Sequence, residues 1–196
     1  LHSLINLLPK KELKVISLED PVEQVIQDIS QVQINESIGL TFENMLRRVL
    51  RHDPNVVMIG EIRDNATAEL AIRAALTGHL ILTTLHTNDS VSAITRLYDM
   101  GIEPYLLCGV LRCVEAQRLV RKLCINCSIS RNPTKQEMQL FNKYSIQVNN
   151  IKQPIGCKFC HNTGFNGRIA ISEHFVMNAN IEKNILQKKR TSELLE

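Results

Sequence analysis

The run Val56-Val57-Met58-Ile59 is the tightest constraint on how this chain folds: four large apolar residues in a row, preceded by Asp53-Pro54 and closed by Gly60. A strand with one wet face alternates apolar and polar residues. A strand without a polar position has to be covered on both faces, as in a parallel sheet flanked by helices. Two other segments suit neighbouring strands, residues 14–18 and residues 80–85, both short and rich in aliphatic residues. The segments between them carry the 3.6-residue periodicity of amphipathic helices, and strand alternating with helix is the signature of an α/β fold.

Helix boundaries are marked by local chemistry. Residues 1–8 place Leu1, Leu4, Ile5 and Leu8 on one helical face before Pro9. Thr41 is an expected N-cap, with Leu40 and Met45 set as a hydrophobic staple around it. Asp64 is the expected cap of a helix running to Leu76, with Gly78 beyond its end. A further helix is expected over residues 90–100, closed by Gly101, and a long amphipathic one over residues 106–123. Thr134 and Glu137 after Pro133 form a capping box. Residues 181–196 read as a polar amphipathic helix. The expected organisation is residues 1–123 as a parallel-sheet domain, 124–160 as a cysteine-bearing module and 161–196 as a C-terminal helical segment.

Composition excludes several classes. With 44% hydrophobic and 22% charged residues among 196, the chain is neither disordered nor fibrous. A net charge of +3 without basic clustering gives no nucleic-acid footprint, so no direct nucleic-acid partner is expected. No run approaches the ~18 apolar residues of a membrane span, and the N-terminus lacks the features of an export signal, so the default expectation is the cytoplasm.

Three short segments carry candidate chemistry. Val56–Ile59 leads through Gly60 into Glu61, and an apolar strand ending in an acid holds a carboxylate rigidly at the edge of the sheet where α/β folds bind ligands. Glu19-Asp20-Pro21-Val22-Glu23 puts three acids after another strand, able to hold metal-bound water or to act as a general base, or simply to form a solvated acidic turn. His79 and His86 bracket the third strand at an odd offset of seven, which points them to opposite faces and argues against one shared metal. His86, with Thr83, Thr84 and Asn88 nearby, is the better placed for a phosphate. Each of these histidines also has an ordinary structural reading.

Four of the six cysteines form two Cys-x-x-Cys pairs, Cys124/Cys127 and Cys157/Cys160. Four thiolates in two knuckles suit a closed, structural zinc site. A redox pair is the alternative, disfavoured by the doubling and by the lack of a thioredoxin-like context. Cys108 and Cys113 read as small buried hydrophobes on the helix expected over residues 106–123.

In order and context, these segments resemble the motor ATPase family of type II secretion and type IV pilus assembly (GspE/PilB-like motors), over residues 1–175. Residues 16–23 match its acidic box, residues 51–64 its variant Walker B segment, in which Gly before the acid is common, and residues 78–88 its histidine box. Residues 164–173 match its Gly-aromatic-x-Gly-Arg segment, with Ala170 where Gly is common. The resemblance implies a RecA-like ATPase domain using ATP and Mg2+ within a homo-hexamer. It also implies an inner-membrane platform protein of the secretion or pilus machine as partner, at the cytoplasmic face of that membrane. Glu61 would be the Walker B carboxylate, with Thr83, Thr84 and His86 near nucleotide. Glu19, Asp20 and Glu23 would share the base and metal roles with Glu61 in a division the residues leave open, and His79 and His86 would couple nucleotide state to movement. The cysteine quartet agrees with the zinc insertion common in secretion and pilus-extension motors. The phosphate-binding Gly-x-x-x-x-Gly-Lys-Ser/Thr loop has no counterpart in these 196 residues. The expectation is therefore a C-terminal part of such a motor, which starts just after that loop and by itself binds ATP poorly and does not hydrolyse it. A zinc-ribbon binding module or a non-catalytic oligomerisation piece is the alternative reading.

Overall fold

The computed structural model describes residues 1–189 together with Glu193 and Leu194. The chain forms two compact units. One comprises Leu1–Ala116 with the chain from Glu173 onward, and the other comprises Gln117–Ser172.

The first unit is built on a four-stranded parallel sheet, β1 (Val15–Glu19), β2 (Ser30–Gln33), β3 (Val56–Ile59) and β4 (Leu80–Thr83), in the order β2-β1-β3-β4. β3 lies between β1 and β4, with Ile16 opposite Val57 and Val57 opposite Ile81. All four of its residues are buried, as its unbroken apolar sequence requires. Successive side chains point to opposite faces. Val57 and Ile59 join Ile16 and Leu18 in the larger core, against Leu46 of α2 (Phe42–Val49), Ala68 and Ala71 of α3 (Asn65–Leu76), Ile94 of α4 (Ser90–Asp99) and Leu107 of α5 (Pro104–Val110). Val56 and Met58 join Val15 on the other face, where Ile5 of α1 (His2–Leu7) packs with Ile26. Helices thus cover both faces. Truncating a fully buried side chain such as Leu18 or Ile59 to Ala would cost about 2–5 kcal/mol.

The expected caps are present. Thr41 Oγ1 accepts the Asn44 amide at 3.2 Å and Asp64 Oδ1 the Thr67 amide at 2.8 Å. Asp89, which is not among the expected caps, caps a further helix in the same way, its Oδ1 accepting the Ser92 amide at 2.7 Å. Each replaces a partner that the first turn of a helix lacks.

The helix expected over residues 106–123 is corrected. α5 stops at Val110, and β5 (Cys113–Leu123) follows and pairs with β8 (Phe165–Val176) in a two-stranded ribbon. Cys113 therefore stands exposed on a strand, while Cys108 is half-buried on α5. The expected helical segment 161–196 is likewise mostly strand until α7 (Ala179–Leu186), which ends at a C-cap on Gln187. Residues 190–192 and 195–196 of the helix expected there lie outside the described residues. The Asn184 side-chain amide donates to the backbone carbonyls of Glu193 and Leu194, at 3.2 and 3.3 Å.

The second unit holds the remainder of β5 and β8, a hairpin-like pair β6 (Ile129–Arg131) and β7 (Ile151–Gln153), and α6 (Lys135–Lys143) between them. Thr134 and Glu137 make the expected capping box, and Arg131 grips both oxygens of Glu137, at 2.7 and 2.8 Å. No helix among the described residues is long and apolar enough to cross a membrane.

Candidate functional site

In a parallel sheet all strands end on the same edge, so the residues that follow β1, β3 and β4 converge there. They border a cleft of about 250 Å³ lined by His2, Glu19, Asp20, Glu23, Phe42, Gly60, Glu61, Thr84 and His86, among others. His79 is not brought to it. It precedes β4, and its Nδ1 lies 2.9 Å from the Ala74 carbonyl and 3.1 Å from Thr77 Oγ1, closing the C-terminal end of α3. Thr83 is on β4 but not in the lining, and its hydroxyl donates weakly to the Thr84 carbonyl at 3.4 Å.

Glu61 is held on both sides. Arg63 Nη2 donates to Oε1 and His86 Nε2 faces Oε2, each at 2.5 Å. The Arg63 bond is the main reason its carboxyl is held below the usual carboxylate range; partial burial works against this and His86 adds to it. At neutral pH Glu61 is an anion on the end of a rigid strand. Gly60 before it makes a close approach: its amide donates to the Leu18 carbonyl at 2.7 Å, and a Cβ there would lie 3.2 Å from that oxygen. An Asp at this position would be crowded against β1. Thr84 Oγ1 donates to the Gly60 carbonyl at 2.6 Å and ties the end of β4 to the same spot.

The three acids after β1 differ in their surroundings. Glu19 is buried. Its Oε1 accepts from Ser17 Oγ at 2.6 Å and Gln31 Nε2 at 2.8 Å, and its Oε2 lies 2.8 Å from His2 Nε2. Burial pushes its carboxyl up, but these hydrogen bonds outweigh that and hold it below the usual range. Asp20 and Glu23 are exposed to the cleft, and Asp20 Oδ2 lies 3.4 Å from Arg63 Nη2. Local patterns do not reveal the roles of His2 and Gln31, whose partner Glu19 lies well away in the chain, or of Glu36, 3.7 Å from Arg63 Nη1, and nothing in the chain's order marks Ser17, whose hydroxyl bonds Glu19 two residues on. The Glu173 carboxylate, which accepts the Ser90 amide at 2.6 Å where α4 begins, was equally hidden.

The second cluster lies within the second unit. The sulfurs of Cys124, Cys127, Cys157 and Cys160 all lie within 4.8 Å of one another, with closest pairs at 3.8 to 4.0 Å. A tetrahedron of thiolates about 2.3 Å from a zinc ion has sulfurs roughly 3.8 Å apart, so the spacing fits such an ion. The amides of Gly156, Cys157 and Gly164 point at Cys127 and Cys160 sulfurs, at 3.2 to 3.3 Å. Burial raises the Cys160 thiol, but the amides of Cys157 and Gly164 prevail and bring it down to about 6. Both glycines are required by shape. Their φ values are positive, and a Cβ would sit 2.7 Å from the Asn162 carbonyl oxygen at Gly156 and 2.5 Å from Pro154 Cβ at Gly164.

All 196 residues match the family model of the type II/IV secretion system protein. The chain belongs to that family. It is 42% identical over 185 residues to type II secretion system protein E of Aeromonas hydrophila, covering 94% of this chain and 37% of the relative. It is 41% identical over 196 residues to the type IV pilus assembly ATPase TfpB of Acinetobacter baylyi, covering 99% and 34%. The chain thus spans little more than a third of the length of these relatives. Among solved structures, the pilus retraction motor PilT with bound ADP superimposes with a TM-score of 0.63 at 27% identity, over 90% of this chain and 42% of that one. The four parallel strands with helices on both faces are the RecA-like part of this secretion ATPase family's fold.

Proposed function

We propose that this chain is part of a hexameric motor in which ATP hydrolysis drives type II secretion or type IV pilus assembly. The observation that carries this reading is the convergence of Glu61, Asp20, Glu23 and His86 on one cleft at the carboxyl edge of the sheet. Glu61 fits the task of holding a Mg2+-bound water. It is anionic, rigid and little exposed, and its lowered proton affinity makes it a poor general base. Glu23, an acid open to the cleft, takes the base role, Asp20 lies beside Arg63, and Glu19 is spent on Ser17, Gln31 and His2 and shapes the edge. Mg2+ would neutralise charge on the transferred phosphoryl group. His86, exposed and paired with Glu61, is placed to sense the nucleotide. The second unit carries a structural Zn2+ on four cysteines with no open position, which supports a scaffolding role.

On this reading the motor works in the cytoplasm against an inner-membrane platform protein, and its copies complete one another's sites. The 196 residues contain no Gly-x-x-x-x-Gly-Lys-Ser/Thr run to cradle phosphates, so the chain by itself is expected to bind ATP poorly and not to turn it over. The test is Mg-ATP turnover by this chain beside a longer protein that joins it to a phosphate-binding loop and the domain before it. Turnover by the longer protein alone, reduced at least about 100-fold by Glu61→Gln, is the expected result. Undiminished activity in that variant would sink the reading.

A further inference from the structure

Neither oxygen of Glu61 is free: one accepts from Arg63 and the other faces His86. The acid that ends β3 is therefore neutralised by the chain's own groups. Arg63 itself is not committed to this one partner. Its Nη2 also lies 3.4 Å from Asp20 Oδ2, and its Nη1 lies 3.7 Å from Glu36 Oε1. The side chains of Arg63 and Glu61 are 48% and 15% exposed. A half-exposed cation thus sits against a sheltered anion, with two further carboxylates within 3.7 Å of the guanidinium. When Arg63 leaves Glu61 it stays paired, so the exchange strands no charge.

We propose that Arg63 is a positioning residue that acts as a built-in counter-ion, holding Glu61 until a divalent cation arrives and then moving to Asp20 and Glu36. The inference rests on the reading of Glu61 as the cation-facing acid of the cleft. A guanidinium and a divalent cation compete for the same carboxylate because each repels the other at contact distance. The transfer also has a direction. Asp20 follows β1 and Glu36 opens the short turn Glu36–Ile38, so cation binding at Glu61 tightens the tie between the end of β3 and that turn. The sheet edge would thereby register cation occupancy before any phosphate is cleaved.

The experiment uses the whole chain loaded with zinc and Mn2+ as the probe, with free Mn2+ followed by electron paramagnetic resonance. Mn2+ prefers oxygen ligands and does not compete for the four thiolates. Arg63→Gln keeps most of the side-chain length and removes the charge, and at this exposed position it leaves the fold intact, which circular dichroism checks. The expected result is Mn2+ binding about three- to tenfold tighter in Arg63→Gln than in the wild type. Arg63→Lys should fall between them, and Arg63→Gln with Glu61→Gln should lose the gain. A purely structural arginine would leave Mn2+ binding unchanged or weaken it. Binding no tighter in Arg63→Gln, with Glu61→Gln alone still weakening it, overturns the counter-ion role and leaves the reading of Glu61 standing. Mn2+ binding indifferent to Glu61→Gln in both backgrounds overturns the reading of Glu61 and the counter-ion role with it.

Discussion

His2 Nε2 lies 2.8 Å from Glu19 Oε2 and joins α1 to the end of β1 across the edge of the sheet. Glu19 is the hub of this contact, since Ser17 and Gln31 donate to its other oxygen. Glu19→Ala leaves the buried Ser17 hydroxyl without this acceptor and Gln31 with only the Gln24 carbonyl, and is expected to lower stability by about 2–4 kcal/mol in urea denaturation. Glu19→Gln, which keeps one acceptor oxygen, should cost less than Glu19→Ala.

The same carboxyl makes stability depend on pH. Its folded pKa lies below the ordinary 4.5, so its contribution is fully present above that value and is lost as pH falls through the folded pKa. Acidification from about pH 5 to about pH 3 should therefore destabilise the wild type more steeply than Glu19→Gln. Urea midpoints measured across that interval check this, and parallel slopes would rule it out.

Removing zinc should act on one unit alone. One zinc per chain is expected by elemental analysis, and chelation should raise amide exchange throughout Gln117–Ser172 while the four-stranded sheet keeps its protection. Uniform exchange in both units would mean that the metal supports the whole chain. Cys160→Ser should reproduce the effect of chelation.

Gly164→Ala tests the shape of the cysteine knuckles separately from their ligands. A Cβ there meets Pro154 Cβ at 2.5 Å on a backbone with φ of +75°. A loss of about 1–3 kcal/mol is expected in the second unit, read as weaker zinc retention against a chromophoric chelator. Gly167→Ala is a useful comparison, because its φ is also positive but nothing lies within 4 Å of the added Cβ.

Glu173→Ala should destabilise the start of α4 by about 1 kcal/mol, since it removes the acceptor of the Ser90 amide. Amide exchange should quicken at the beginning of α4 and in the loop that carries His86. Glu173→Gln, which still offers a carbonyl oxygen, should largely restore it.

The parts of the molecule legible in the sequence are those fixed by neighbours in the chain. Thr41, Asp64 and Thr134 cap helices through residues three positions on, and the apolar run at Val56 announces a central strand without reference to anything else. The cysteine quartet was legible from its two spacings. The stretch after Val110 misled because Leu107, Leu111 and Val114 keep a helical period, while the strand they run into is set by a partner some fifty residues later in β8. The cleft divided the same way. Glu61 could be found from its strand, but the difference between a buried Glu19 and an exposed Asp20 depends on His2 and Gln31, which no local pattern connects to them.

The chain leaves the first unit along β5 and returns to it along β8, and these two strands pair. This bears on the order of folding. α7, with Ile181 and Ile185, has to reach a core laid down by residues before Ala116, and closing a slack loop as long as the intervening stretch costs about 3–4 kcal/mol of chain entropy. Once the ribbon and the cysteine cluster have formed, the ends of that loop are already side by side. Early capture of a metal ion would then speed completion of a core that contains none of its ligands.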